Sequence, residues 1–298
     1  TNIETFVTKD SPDIKEVIIN IIPSNVFKAF TEANMLQVIF FAVIFGISLN
    51  LVKEKNSKLK EATSLLNDLF LKMIEVIMYF APFGVFFLIF KTFLTQGFST
   101  ISELGEYFFT VLIVLIIHLF FTYGTILFLF TRVNIIKFFL KMRNPMLFAF
   151  STASSAATIP INLKTVEESL GVKKSVSSFT VPLGATINMD GTAIMQGVAT
   201  VFLANTYGID LNISDYISVI IVATLASIGT AGVPGVGLIM LAMVLNQVGL
   251  PAEGIALIIG IDRILDMTRT AVNITGDAAV SCIVAKSEKK LDVVKLNS

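Results

Sequence analysis

Ile217–Ala252, with Gly229-Thr-Ala-Gly-Val-Pro-Gly-Val-Gly237 near its middle, is the stretch that decides the fold. It runs 36 residues without a charge, whereas one membrane-crossing helix needs about 20 apolar residues for a hydrocarbon core about 30 Å thick. An unbroken helix of that length is too long for a single crossing. Two crossings do not fit either, because the Gly/Pro tract leaves arms of 12 and 15 residues. Four glycines and Pro234 within nine positions break continuous helix there. The run therefore reads as a hairpin that enters the membrane and turns back, with its irregular tip at depth. Protein or a water-filled cavity must cover the backbone polar groups of such a tip, which makes it a gate or a binding site.

Composition agrees with a membrane setting. Mean hydropathy is +0.82, and 54% of the 298 residues are hydrophobic against 15% charged, the profile of a polytopic membrane protein. Net charge is zero, so nothing suggests a nucleic-acid or acidic partner. The single cysteine, Cys282, excludes an internal disulfide framework and sits in an apolar context as a small buried side chain. With one histidine, His118, no His-rich metal site or histidine-based protease can be assembled, and His118 reads as a packed or pore-facing bystander. The chain begins at Thr1 with neither an initiator methionine nor a signal peptide, as expected of a fragment or trimmed chain.

Further membrane segments lie on either side of the opening stretch. Residues 1–66 hold a mixed polar region and one apolar segment, Leu36–Val52; residues 67–143 hold two crossings, Asn67–Phe90 with a kink expected at Pro82-Phe-Gly84 and Tyr107–Thr131. Asn144–Leu163 is uncharged, but Ser151-Thr-Ala-Ser-Ser-Ala-Ala157 fills its centre and Pro160 follows, so 144–174 reads as a second re-entrant hairpin. A crossing at 175–209 is interrupted by Asn188-Met-Asp-Gly-Thr192, the opening hairpin occupies 210–252, and a long charged helix, Ile255–Ala285, lies in 253–298. Lys and Arg gather at 53–60, 132–143, 164–174 and 286–295 but are absent from 92–106, 208–216 and 250–254. The positive-inside rule then alternates correctly only if both hairpins return to their own side, the first cytoplasmic and the second external. Hairpin, crossing, hairpin, crossing is an inverted repeat, the plan of a secondary transporter with broken helices meeting near the midplane.

In the last helix Asp262, Asp266, Arg269, Asn273 and Asp277 recur at spacings of 4, 3, 4 and 4, which puts them on one face. A charge at the bilayer centre costs about 2.5–3.5 kcal/mol, so this stripe must face protein, water or ligand. Pairing of Asp266 with Arg269 neutralises part of it. Counting Asp190, Asp262, Asp266 and Asp277 against Arg263 and Arg269 still leaves two excess negative charges, which call for cations. Asp190 is the lone charge between Lys174 and Asp210, and Gly191 beside it permits local unwinding that would free carbonyl oxygens for a hard alkali ion. Helix N-termini at the two tips suit a carboxylate, a guanidinium binds a second one, and an intramembrane aspartate holds an ammonium. Arg269 and Asp266 thus describe a pocket for an acidic amino acid.

These motifs resemble the glutamate transporter homologues of the dicarboxylate/amino acid:cation symporter family, over essentially the whole chain and over the C-terminal two-thirds of such a protein. The resemblance rests on Ser154-Ser155, Asn188-Met-Asp-Gly-Thr192, Ser227-Ile-Gly-Thr-Ala-Gly-Val-Pro-Gly235 and Asp266-Met-Thr-Arg-Thr-Ala-Val-Asn273 followed by Gly276-Asp277. It implies an all-α polytopic, multi-pass cell-membrane protein, an elevator-type core on part of a homotrimeric scaffold, with the second hairpin as external gate. It implies substrate contacts at Arg269, Asp266, Asn273, Thr192, Ser154, Ser155, Thr270, Val233 and Gly237. Two or three sodium sites are implied: one at Gly184, Asn188, Asn273 and Asp277; one between Thr186 and the backbone of Ser227, Ile228 and Thr230; a third at Asn188 and Asp190. Family members often carry a second arginine where this chain has Ala153 and Met267. The function implied is sodium-coupled symport of L-aspartate or L-glutamate, not an enzymatic reaction. Proton-coupled glutamate or C4-dicarboxylate symport and neutral amino acid transport are the alternatives within the fold. An intramembrane aspartyl protease lacks its Gly-x-Gly-Asp context, and a bare channel leaves the Asp266/Arg269 pair unexplained.

Overall fold

The computed structural model describes residues 22–31, 35–52, 57–78, 80, 83, 86, 87, 90, 99–228, 230, 232 and 234–298. In chain order these form helices α1 (Val26–Thr31), α2 (Met35–Leu51), α3 (Ser57–Met78) and α4 (Ser99–Ile117). A π-helical turn, His118–Tyr123, joins α4 to α5 (Gly124–Thr131). Then come α6 (Ile135–Thr152), α7 (Ser155–Glu168), α8 (Lys174–Ile187) and α9 (Asp190–Tyr207). They are followed by α10 (Ile213–Ile228), α11 (Val236–Gln247), α12 (Ile255–Ser287) and α13 (Val293–Asn297). Strands are absent among the described residues.

The Gly/Pro tract breaks helix where its chemistry requires. α10 ends at Ile228, α11 starts at Val236, and Gly235 sits in the left-handed region at φ 80°. The Ser-rich tract breaks more sharply than its composition suggests: helix runs through Thr152 and resumes at Ser155, leaving a turn of Ala153 and Ser154. Ser154 is extended and its Oγ accepts from Ala157 N–H at 3.2 Å, a cap that contributes about 1 kcal/mol. Both tracts are therefore helical hairpins, α6/α7 and α10/α11, with the arms of each packed together. The interruption between α8 and α9 is confined to Asn188 and Met189.

Two expected boundaries need correction. The basic stretch 132–143 is not a loop: α6 begins at Ile135 because Asn134 caps it, accepting from Lys137 N–H at 3.1 Å, and Phe138 and Met142 are fully buried. Likewise α3 starts at Ser57, so Lys58 and Lys60 are helical. Pro82 and Gly84, where a kink is expected, lie outside the described residues. Among the described residues one helix, Glu103–Thr131, is long and apolar enough to cross a membrane, while Phe40–Leu51, Ile213–Ile228 and Val236–Gln247 are shorter apolar helices.

The core has two parts, both threaded by α12. Leu115, Met195, Leu203, Leu241, Leu245, Ile258 and Leu265 form one from α4, α9, α11 and α12. The other contains Leu127, Phe138, Met142, Val166, Leu170, Val181, Ala278 and Cys282, which is fully buried as its context suggested. The end of the chain closes the second part. Leu296 of α13 is buried in it, Lys173 N–H donates to Lys290 C=O at 3.1 Å, and Asp292 N–H donates to Gly171 C=O at 2.9 Å. Lys137 and Lys141 donate to the carbonyls of Asn297 and Lys295, each at 2.6 Å. Burial, and then the neighbouring Lys137 and Lys295 ammonium groups, hold the Lys141 pKa below the ordinary lysine value.

Candidate functional site

The two hairpin tips meet. Ser154 Oγ and Ala156 N–H both donate to Gly232 C=O, at 2.8 and 3.2 Å. A side chain on Gly232 would stand 3.1 Å from Ala156 N and from Ala185 O, so the close approach needs glycine. Ala153, at φ 51°, turns the first tip through the left-handed region that disfavours a side chain. Beneath the tips lies a polar pocket lined by Ala153, Ser155, Thr192, Thr230, Gly232 and Gly237, with Asp266, Thr270 and Asn273 of α12 as its floor. Serine, threonine, glycine and α12 residues far apart in sequence thus converge on one cavity.

Arg269 is 1% exposed and is held by two carboxylates of its own helix. Its Nη1 and Nη2 donate to the two oxygens of Asp262 at 2.7 and 3.2 Å, and Nη2 also donates to Asp266 Oδ1 at 2.9 Å. The expected Asp266 pairing is present, but the bidentate partner is Asp262, two helical turns away. Asp266 Oδ2 in turn accepts from Gly235 N–H at 3.0 Å, tying the second tip to the floor. A Cβ on Gly237 would lie 3.5 Å from Arg269 Nη2 and 3.2 Å from Thr192 Cγ2. Thr270 spends its hydroxyl on Asp266 C=O at 2.8 Å. Val233 lies outside the described residues.

A second polar cluster forms where the broken helix meets α12. Asn188 Nδ2 donates to Asn273 C=O at 3.0 Å and to Asp277 Oδ1 at 2.8 Å. Asn273 Oδ1 accepts from Gly191 N–H at 2.8 Å, capping the start of α9. Gly191 is itself helical, so it does not unwind the chain. Its missing side chain admits α12 instead, since a Cβ would stand 3.1 Å from Arg269 Cα and 3.0 Å from Asn273 Oδ1. Gly184 does the same for Asp277, whose Oδ1 would lie 2.5 Å from a Cβ there. Asp277 is 1% exposed, and its Oδ2 has no hydrogen-bond partner among the described residues. A buried carboxylate with one oxygen free, beside backbone carbonyls, fits a hard monovalent cation.

The remaining expected ligands divide. Ser227 and Thr230 are buried, whereas Thr186 and Ile228 are exposed. All three hydroxyls bond carbonyls of their own segment: Thr186 to Pro182, Ser227 to Thr224 and Thr230 to Ala226. Asp190 Oδ2 accepts from Tyr123 Oη at 2.9 Å and lies 3.1 Å from His118 Nε2. His118 is therefore no bystander, and Tyr123 was not foreseen at all. Both reach Asp190 from the π-helical turn, across 72 and 67 residues of sequence. Arg263 is exposed. The Asp190 side chain is itself 43% exposed, so the buried charges are Asp262, Asp266 and Asp277 against Arg269, an excess of two.

Comparison with known proteins places the chain in a family. The model of the sodium:dicarboxylate symporter family matches residues 1–287. A proton/sodium-glutamate symport protein of Geobacillus stearothermophilus is 36% identical over 292 residues, 97% of this chain and 69% of the relative. Its counterpart in Bacillus subtilis is 34% identical over 98% of this chain and 68% of the relative. Excitatory amino acid transporter 3 of Mus musculus is 40% identical over 267 residues, 89% of this chain and 51% of the relative. The chain thus spans about two thirds of the bacterial relatives and about half of the mammalian one. On the family match and these identities together, the chain belongs to the sodium:dicarboxylate symporter family.

Proposed function

We propose that this chain is the substrate- and cation-binding part of a secondary transporter that carries L-aspartate or L-glutamate inward with sodium. One observation carries the reading. A polar pocket that the two hairpin tips close has the Asp266 carboxylate on its floor, and that carboxylate is paired at 2.9 Å with the buried guanidinium of Arg269. The guanidinium takes the substrate side-chain carboxylate bidentately, Asp266 takes its ammonium, and the N-terminal turns of α7 and α11 suit the remaining carboxylate. Asp262, two turns away on α12, holds Arg269 beside Asp266. Sodium, as co-transported cargo, binds the Asp277 carboxylate with carbonyls of Gly184, Asn188 and Asn273, and further ions bind near Asp190 and near Thr230.

In this reading the helical hairpins are re-entrant, α10/α11 is the external gate, and the hairpin–helix core moves as an elevator against a homotrimeric scaffold in a multi-pass membrane protein. The segregation of Lys and Arg along the chain and the short arms of the hairpins support it. The gate acts through Gly235 and Gly232: when the second tip lifts, Asp266 loses its backbone donor and the first tip its partner. The names of the bacterial relatives carry both proton and sodium, so the test runs both gradients. Radiolabelled L-aspartate and L-glutamate uptake is measured in proteoliposomes holding the full-length protein, with Arg269→Ala and Asp277→Asn alongside. Sodium-driven uptake lost in both variants is the expected result. Uptake driven equally by protons alone would overturn the sodium assignment, and no uptake of either substrate would overturn the substrate assignment.

A further inference from the structure

The cation cluster grips α12 from one side through Asn188, and a second amide grips it from another. Asn162 of α7 is 1% exposed, and its Nδ2 donates to Ile274 C=O at 3.1 Å. Asn188 Nδ2 holds the preceding carbonyl, that of Asn273, at 3.0 Å. Successive carbonyls on a helix diverge by about 100° around its axis. The two amides therefore approach α12 from different directions, one from the broken helix and one from the first hairpin. Asn162 Oδ1, meanwhile, has no hydrogen-bond partner among the described residues. A buried amide that leaves its acceptor unpaired is worse for stability than an apolar side chain of the same shape. Packing alone would be better served by leucine at this position.

We propose that Asn162 is a positioning residue for the cation site, acting through the Ile274 carbonyl; this rests on the reading of Asn273 C=O and Asp277 as sodium ligands. The peptide units carrying carbonyls 273 and 274 pivot on one α-carbon, that of Ile274. When sodium binds, carbonyl 273 turns from the Asn188 amide toward the ion. With carbonyl 274 pinned by Asn162, the turn stays within one peptide unit and the helix around it keeps its register. Without the pin the strain spreads along α12, and the carbonyl is no longer held at ligating geometry. The first hairpin then takes part in cation binding although it supplies no ligand to that site.

The test uses the full-length protein and two near-isosteric changes, Asn162→Leu and Asn162→Asp, both of which remove the donor. Sodium titrations of L-aspartate binding are followed by calorimetry, with the thermal midpoint measured alongside. Both variants are expected to raise the half-saturating sodium concentration about ten- to hundredfold, the usual effect of losing a group that orients a metal ligand. Aspartate affinity at saturating sodium should change by no more than about twofold, since the removed group orients a cation ligand rather than a substrate contact. Unchanged sodium dependence in both variants would overturn the proposal, as would a parallel loss of sodium and aspartate affinity. Tighter sodium binding in Asn162→Asp would overturn it too, by making the side chain a ligand itself. If Asn162→Leu does not fold, Asn162→Asp alone decides. Wild-type binding indifferent to sodium would instead bring down the sodium reading on which the proposal stands.

Discussion

Replacing Gly184 with alanine drives a methyl group into the Asp277 carboxylate. A Cβ built there lies 2.5 Å from Oδ1, 2.7 Å from Cγ and 3.0 Å from Cβ of Asp277. Ordinary contact requires the carboxylate to retreat by about 1 Å, and overpacking of this kind costs about 1–3 kcal/mol. The same oxygen accepts from Asn188 Nδ2 at 2.8 Å, so the retreat also stretches that bond. If the cation needs Asp277 where it now stands, a cost of about 2 kcal/mol appears in the sodium affinity as roughly a thirtyfold loss. Gly197→Ala is the matched control, because nothing lies within 4 Å of its Cβ and it is also in a helix. That change should stabilise by about 0.5–1 kcal/mol. Calorimetric sodium titrations of aspartate binding on both variants provide the assay. Sodium affinity in Gly184→Ala equal to that in Gly197→Ala would refute the reasoning, because it would show that Asp277 can move without consequence.

Other changes probe the rest of the site. Asp262→Asn leaves a buried guanidinium with one carboxylate instead of two and should destabilise by about 3 kcal/mol, the low end for a broken buried pair because Asp266 remains; thermal unfolding in detergent, with exposed Arg263→Gln as control, measures it. Gly232→Ala wedges the tips apart and should weaken aspartate binding about tenfold at fixed sodium, read by calorimetry. Gly171→Ala places a side chain at φ 77° and 2.8 Å from Asp292 C=O. It should cost about 1–3 kcal/mol and speed limited proteolysis between Ser287 and Ser298, whereas unaltered cleavage would mean that the end of the chain does not need this contact.

What the sequence made legible was local chemistry. Glycine and proline in the 229–237 tract break helix through their own backbone preferences, and Ser154 does so by capping, so these breaks were readable without a partner, whereas Ala153 and Met189 are helix formers placed in a break by what surrounds them. The stripe of α12 was readable because helical periodicity alone sets it. The contacts of Arg269 were half readable: Asp262 and Asp266 both lie on its face, but only the fold decides which of them takes both guanidinium nitrogens. His118 and Tyr123 were not readable as partners of Asp190, since each contact spans more than sixty residues and neither side chain departs from an ordinary apolar span. Gly191 misled for a related reason. Its composition signalled a bend, while the space it leaves for Arg269 exists only after α12 has packed. The docking of α13 on the base of the first hairpin likewise has no signal in its own residues.

The wide turn at His118–Tyr123 constrains how this helix can change length. In α-helical geometry residues five apart point about 140° away from one another, so His118 and Tyr123 could not serve one acceptor. The i→i+5 pattern of the turn brings them together. Their rings stand 4.6 Å apart and both reach the same oxygen of Asp190. The i→i+5 turn holds one residue more than an α-helical turn, so removing a single residue from 118–123 would restore even α-helical winding with α4 and α5 still in their present phase. With one of residues 119–122 removed, His118 and Tyr123 would stand four apart, about 40° from one another, and would still share one side of the helix. The turn is thus the one place along this span where a one-residue deletion is absorbed locally, whereas the same deletion within α4 or α5 would rotate every position beyond it by about 100°.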